Sequence, residues 1–150
     1  MLKLGILGLG EGRSAISAAL QSEKIELKTI CDLNIDLCKK RSEEFGFKNF
    51  TTNYDQLLND PEIDVIVELI DDADAAFKIV KEALQKGKSV VTANKKMLAE
   101  HLEEIYELQQ KYGKPVLYEG SVCGSIPIIR NLEEYYDNDL LTSVEGILNG

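Results

Sequence analysis

Apolar and polar positions along the chain switch repeatedly between a strand-like and a helix-like rhythm. Leu2–Leu7 is a short, largely apolar run that leads straight into glycines, the form of a strand. Ser14–Leu20 then sets Ala15, Ile16, Ala19 and Leu20 on one helical stripe. Ile25–Cys31 alternates before turning apolar, predicting a second strand, and Ile35–Phe45 is an amphipathic helix stopped by Gly46. Asn49–Thr52 is read as a short extended piece, and Tyr54–Leu58 as a small helix ended by Asn59-Asp60-Pro61. The near-continuous apolar run Val65–Leu69 suits a strand covered on both faces. A helix over Ala73–Gln85, closed at Gly87, precedes a strand at Ser89–Thr92 and a long helix at Lys95–Tyr112. Val116–Tyr118 reads as another strand, Ser121–Tyr136 as a glycine-containing turn entering a helix, and Leu141–Leu148 as a last strand.

Strands and helices alternating at this spacing require right-handed crossovers and a parallel sheet. The expected fold is therefore α/β, a Rossmann-type doubly wound and mainly parallel sheet with helices on both faces, formed by residues 1–150 as one domain. Such sheets bind ligands outside the carboxyl ends of their strands, so the residues after each strand carry the chemistry.

After the first strand stand Gly8, Gly10 and Gly12. Gly8 permits a tight turn, Gly10 lets the backbone approach a pyrophosphate, and the amides opening the next helix supply donors and a positive dipole end. Arg13 occupies the place of the third glycine of Gly-x-Gly-x-x-Gly, with Gly12 one residue early. Asp32 ends the second strand, where a carboxylate accepts ribose hydroxyls and repels a 2′-phosphate; this favours NAD over NADP. Asn34 is better placed than Asp32 to cap the next helix, and Lys39, Lys40 and Arg41 on that helix read as a solvated face. Past the fifth strand, Lys95 and Lys96 open a helix where cations are mildly unfavourable. An ammonium there suits polarisation of a carbonyl as hydride arrives, and Lys95 is the expected catalytic residue. His101, the single histidine, lies mid-helix and away from every strand end.

Net charge of −9 argues against non-specific nucleic-acid binding, while leaving room for phosphate held by backbone amides. Cys31, Cys38 and Cys123 form neither a Cys-x-x-Cys pair nor an even set, so all three are expected to be reduced fillers. With no apolar run of membrane-spanning length and no signal-like start, the expected location is the cytoplasm.

The segments "VELI", "GKSVVTANKKMLAEH", "LYEGSVCGSIPIIRNL" and "SVEGILNG" closely resemble the N-terminal half of homoserine dehydrogenases. The first 60 residues are as similar to Gfo/Idh oxidoreductases, whose usual Glu-Lys-Pro after the fifth strand is absent. The first resemblance implies an enzyme that reduces aspartate semialdehyde to homoserine with a nicotinamide cofactor, on the route to threonine and methionine. It implies that Asn94 and Lys95 of "TANK" lie by the nicotinamide and substrate. The cofactor-binding set so assembled is Gly8, Gly10, Glu11, Gly12, Arg13, Asp32, Leu69, Ile70, Ala93, Asn94 and Lys95. The same resemblance implies a structural sodium ion on Glu119, Val122, Gly124 and Ile126, and a homo-oligomer at full length.

Two departures from the family pattern stand out: Arg13, and Asp71-Asp72 where small glycines usually follow "ELI". Two carboxylates near a pyrophosphate repel it, and Arg13 is expected to offset them by pairing with Asp71 or Asp72 or by touching the phosphates. The substrate domain, with its acid/base and substrate-binding residues, is expected to be absent from this chain, leaving it little turnover of its own. A cofactor domain of a Gfo/Idh-type dehydrogenase and a non-enzymatic NAD(H)-sensing module are the alternative readings.

Overall fold

The computed structural model describes residues 1–124 and 126–147. Its strands are β1 (Leu2–Leu7), β2 (Ile25–Cys31), β3 (Phe50–Thr51), β4 (Val65–Glu68), β5 (Ser89–Thr92) and β6 (Val116–Leu117). Its helices are α1 (Arg13–Gln21), α2 (Ile35–Phe45), α3 (Tyr54–Asn59), α4 (Ala73–Gln85), α5 (Lys95–Tyr112) and α6 (Ile128–Tyr135). The six strands form one sheet in the order β3-β2-β1-β4-β5-β6, every neighbouring pair parallel. The order reverses between β1 and β4, so a crevice opens above their carboxyl ends.

Strand pleating divides the core between the two faces. Leu4 and Ile6 of β1 join Ile16 and Ala19 of α1 and Cys38 of α2 on one face. Leu7 and Ile66 join Leu57, Ile79, Val80, Met97 and Ile105 from α3, α4 and α5 on the other. Each Leu, Ile, Val or Met among them contributes about 1.5–3 kcal/mol when fully buried. At the carboxyl ends of the strands, polar side chains start the helices: Asn34 caps α2, Asn53 α3, Asp72 α4 and Asn94 α5. Each of these caps satisfies a backbone N–H that the helix itself leaves unbonded.

The last expected strand is corrected. Residues 141–147 make no strand, and Leu148 lies outside the described residues. Apolar alternation selects a strand only where a sheet face exists to bury it. Here Val144 and Ile147 stand 51% and 95% exposed. Inside α5, His101 departs from helical geometry (φ −132°, ψ 16°), and its ring stacks on Phe77 at 4.0 Å. All three cysteines are free and buried, and burial pushes the Cys31 thiol up to about 12.

Candidate functional site

The turn after β1 packs directly onto the end of β4. Gly8 has φ +86°, and a Cβ placed there would lie 2.4 Å from the Leu69 carbonyl oxygen. Gly12 is likewise pressed against the Gly8 carbonyl, at 2.5 Å from its own ideal Cβ position. Around the Cβ position of Gly10, by contrast, nothing lies within 4 Å, so the backbone there presents an open wall. The Gly8 N–H donates to the Cys31 carbonyl at 3.0 Å. Asp32 completes the anchorage: its Oδ2 accepts the Leu9 N–H and its Oδ1 the Asn34 N–H, each at 2.8 Å.

Arg13 pairs with neither Asp71 nor Asp72. Its Nε pairs with Glu44 on α2, while Asp72 is spent on capping α4, accepting the Ala75 N–H at 2.8 Å. The expectation that Arg13 neutralises Asp71 or Asp72 is therefore corrected. As the first residue of α1, its side chain is carried outward toward α2. Glu44, held between Arg13 and Arg41, keeps its carboxyl below the usual carboxylate range.

Arg41 is not part of a solvated face. Its Nε donates to the Leu9 carbonyl at 3.1 Å, Nη2 reaches the Gly10 carbonyl at 3.4 Å, and Nη1 pairs with Glu44 at 2.7 Å. It braces the glycine turn from α2. The signal was present in the periodicity, because Arg41 shares the inward stripe of Leu37, Cys38 and Phe45.

A second missed residue is Glu68, fully buried at the end of β4. Its Oε1 accepts the Ile70 N–H at 2.7 Å, and its Oε2 accepts the Thr92 hydroxyl at 2.6 Å. Thr92 Oγ1 in turn accepts the Asn94 N–H at 3.1 Å, and Asn94 Nδ2 donates to the Ile70 carbonyl at 3.0 Å. A carboxylate inside a run read as covered on both faces was the available sign, since buried carboxylates require partners.

Burial, the dominant influence, raises the Glu68 pKa above the ordinary carboxylate value against the two hydrogen bonds that lower it. The folded state then binds this proton more tightly than the unfolded one. The stabilising contribution is fully present below the ordinary carboxylate pKa and is lost as pH rises through the elevated one. Glu68→Gln is expected to flatten that part of the Tm-against-pH curve; parallel curves for the two proteins would contradict it.

Two cavities meet over the turn. One, of about 390 Å³, is lined by Gly8, Gly10, Asp32, Leu33 and Tyr54, with Ala75 and Ile79 behind. The other, of about 230 Å³, is lined by Ala93, Asn94 and Lys95. Glu11, Leu69, Ile70 and Asp71 border both. The structure thus brings together nine of the eleven expected cofactor residues, while Gly12 supports the turn from behind and Arg13 faces α2. Lys95 opens α5 and is exposed, and Lys96 lies 3.8 Å from Glu100.

The expected sodium segment forms a separate feature. Glu119 begins a 3₁₀ turn, Glu119–Ser121, and its carboxylate accepts the Ile129 and Arg130 N–H groups at 3.2 and 2.8 Å. Val122, Gly124 and Ile126 follow in the loop to α6, with the Ile126 carbonyl accepting the Ile128 N–H at 2.9 Å.

Comparison with known proteins shows the family. The family model described as homoserine dehydrogenase, NAD binding domain, matches residues 8–119. The homoserine dehydrogenase of Helicobacter pylori is 36% identical over 99% of this chain and 36% of its own length. That of Bacillus subtilis is 33% identical, with the same coverage of both chains. The crystal structure of the Thiobacillus denitrificans homoserine dehydrogenase superposes with a TM-score of 0.81 at 33% identity, covering 89% of this chain and 32% of that one. The chain therefore spans about a third of the length of these relatives. The matched span contains the glycine turn, Asp32 after β2 and "TANK" at the start of α5. This chain belongs to the homoserine dehydrogenase family, of which it carries the NAD-binding domain.

Proposed function

We propose that the chain binds NAD in preference to NADP and serves, in the whole protein, the reduction of aspartate semialdehyde to homoserine. The observation that carries the cofactor preference is Asp32, whose carboxylate stands at the rim of the larger cavity with both oxygens already oriented by backbone N–H groups. Each oxygen keeps a lone pair for a ribose hydroxyl, and the fixed negative charge opposes a 2′-phosphate. The residues present fit a dinucleotide. The apolar cavity over β2 and α4 accommodates an adenosine, and the open wall at Gly10 admits a pyrophosphate to the start of α1.

The bound cofactor supplies hydride chemistry. For the chain's own part, the Asn94 side chain is fixed by the Ile70 carbonyl and the Met97 N–H, the latter donating to Oδ1 at 2.9 Å. Asn94 thereby sets where α5 begins and where Lys95 stands. The Lys95 ammonium is assigned the role of stabilising the oxygen of the reacting carbonyl as it gains negative charge. Glu11 and Asp71 border the pyrophosphate position, and the charge of Arg13 is shared with Glu44, which keeps phosphate affinity moderate.

A sodium ion on Glu119, Val122, Gly124 and Ile126 would share the Glu119 carboxylate with the α6 N–H groups, which a carboxylate's lone pairs allow; its role is structural. The whole protein is read as a cytoplasmic homo-oligomer. Among the described residues no helix is long and apolar enough to cross a membrane.

Parallel calorimetric titrations with NADH and NADPH test the reading. NADH is expected to bind at least tenfold more tightly than NADPH. Equal affinities would remove the role given to Asp32, and no binding of either would overturn the cofactor assignment.

A further inference from the structure

We propose that Glu68 and Thr92 are positioning residues that set the nicotinamide side of the cofactor site, an inference that rests on the dinucleotide reading above. The two are register partners on β4 and β5, and both are buried, at 0% and 1% exposure. Between them they close a ring of hydrogen bonds around the backbone of one residue, Ile70. The Ile70 N–H is held by Glu68 at 2.7 Å, and the Ile70 carbonyl by Asn94 Nδ2 at 3.0 Å. Thr92 joins the halves, donating to Glu68 at 2.6 Å and accepting the Asn94 N–H at 3.1 Å.

Ile70 lies at the junction of the two cavities. In the smaller cavity, Leu69, Ile70 and Asp71 form one wall and Ala93, Asn94 and Lys95 the other, so the ring fixes the distance between both walls. In the larger cavity the ring reaches only one side. Its remaining walls at Gly8, Asp32 and Tyr54 are held by β1, β2 and α3, through bonds such as Asp32 to the Leu9 N–H. Loosening the ring should therefore damage the smaller cavity selectively. In the cofactor's outline that cavity lies at the far end from Asp32, beside Lys95, and takes the nicotinamide half.

Neither residue needs to touch the cofactor for this effect. A buried carboxylate that loses one partner shifts to find another, and a buried hydroxyl–carboxylate bond holds two strand ends in a single arrangement. Thr92→Val keeps the shape of the side chain while removing both of its hydrogen bonds.

The experiment compares NADH with ADP-ribose, which lacks the nicotinamide ring, on the same chain. The wild type is expected to bind both, with NADH the tighter. Thr92→Val is expected to weaken NADH about tenfold and ADP-ribose less than about threefold, and Thr92→Ser to restore NADH to near the wild-type value. In the wild type, amide exchange at Ile70 is expected to slow further with NADH but not with ADP-ribose, a readout that survives if the valine variant fails to fold. Equal loss of both ligands, no loss of either, equal wild-type affinities, or no ligand difference in Ile70 exchange would overturn the positioning role with the cofactor reading intact. Failure of the wild type to bind either ligand would overturn both.

Discussion

Gly8→Ala is expected to lower the unfolding free energy of this chain by about 3 kcal/mol and to abolish measurable NADH binding. Two penalties combine. Alanine at φ +86° is strained in itself, and its Cβ would sit 2.4 Å from the Leu69 carbonyl oxygen, with the Ile70 nitrogen 2.9 Å away. Both are backbone atoms at the end of a strand, so neither yields as a flexible side-chain tip would. The turn must lift away from β4, separating the two segments that border both cavities. Urea unfolding monitored by circular dichroism gives the first quantity and NADH titration the second. A destabilisation below about 1 kcal/mol would show that the turn relaxes cheaply. Gly10→Ala is the control, because open space surrounds its Cβ position. It is expected to leave stability within about 0.5 kcal/mol of wild type.

The second large effect concerns turnover. In the whole protein, Lys95→Met is expected to reduce kcat for aspartate semialdehyde by at least about a hundredfold, with NADH affinity changing far less. The substitution keeps an unbranched chain of similar length at the first position of α5 and deletes the ammonium. Helix formation is undisturbed, since methionine and lysine have nearly equal helix propensity. Steady-state rates alongside direct NADH titration separate the two quantities. A parallel fall in both would assign Lys95 to cofactor binding instead of to the reacting carbonyl.

Most of the fold could be read from local chemistry. β1, β2, α2, α4, β5 and α5 begin and end where apolar period, capping side chains and glycines place them. That success has a physical cause: the signals that start and stop these elements lie within a turn of their ends. Asn34 caps α2 by bonding residues two and three positions ahead, and Asp72 does the same for α4 at three. The strand expected at Leu141–Leu148 is not formed over residues 141–147 for the opposite reason, because a strand exists only through a neighbour, and pattern alone does not supply one.

The site was legible in its glycines and in Asp32, and opaque in its cross-braces. Arg13 pairs across 31 residues with Glu44, and Arg41 reaches back 32 residues to Leu9. Nothing local distinguishes Glu44 from Glu43 as a partner for Arg13; that choice is made by how α1 and α2 pack. Glu68 and Thr92 are separated by 24 residues and meet because β4 and β5 pair in register. Their meeting belongs to the sheet.

Asp32 illustrates what such sharing implies for change over evolutionary or engineering time. One carboxylate both lines the larger cavity, where the proposed reading puts the ribose, and anchors the Leu9 amide of the glycine turn. Replacing it with a small neutral residue to admit a phosphorylated cofactor would also cut the turn loose. The route from one cofactor to the other therefore passes through a side chain that still accepts from Leu9, such as asparagine or serine. A cation already stands by, since Arg41 braces the same turn, so the choice of the replacing residue is constrained by a hydrogen bond that neither cofactor makes.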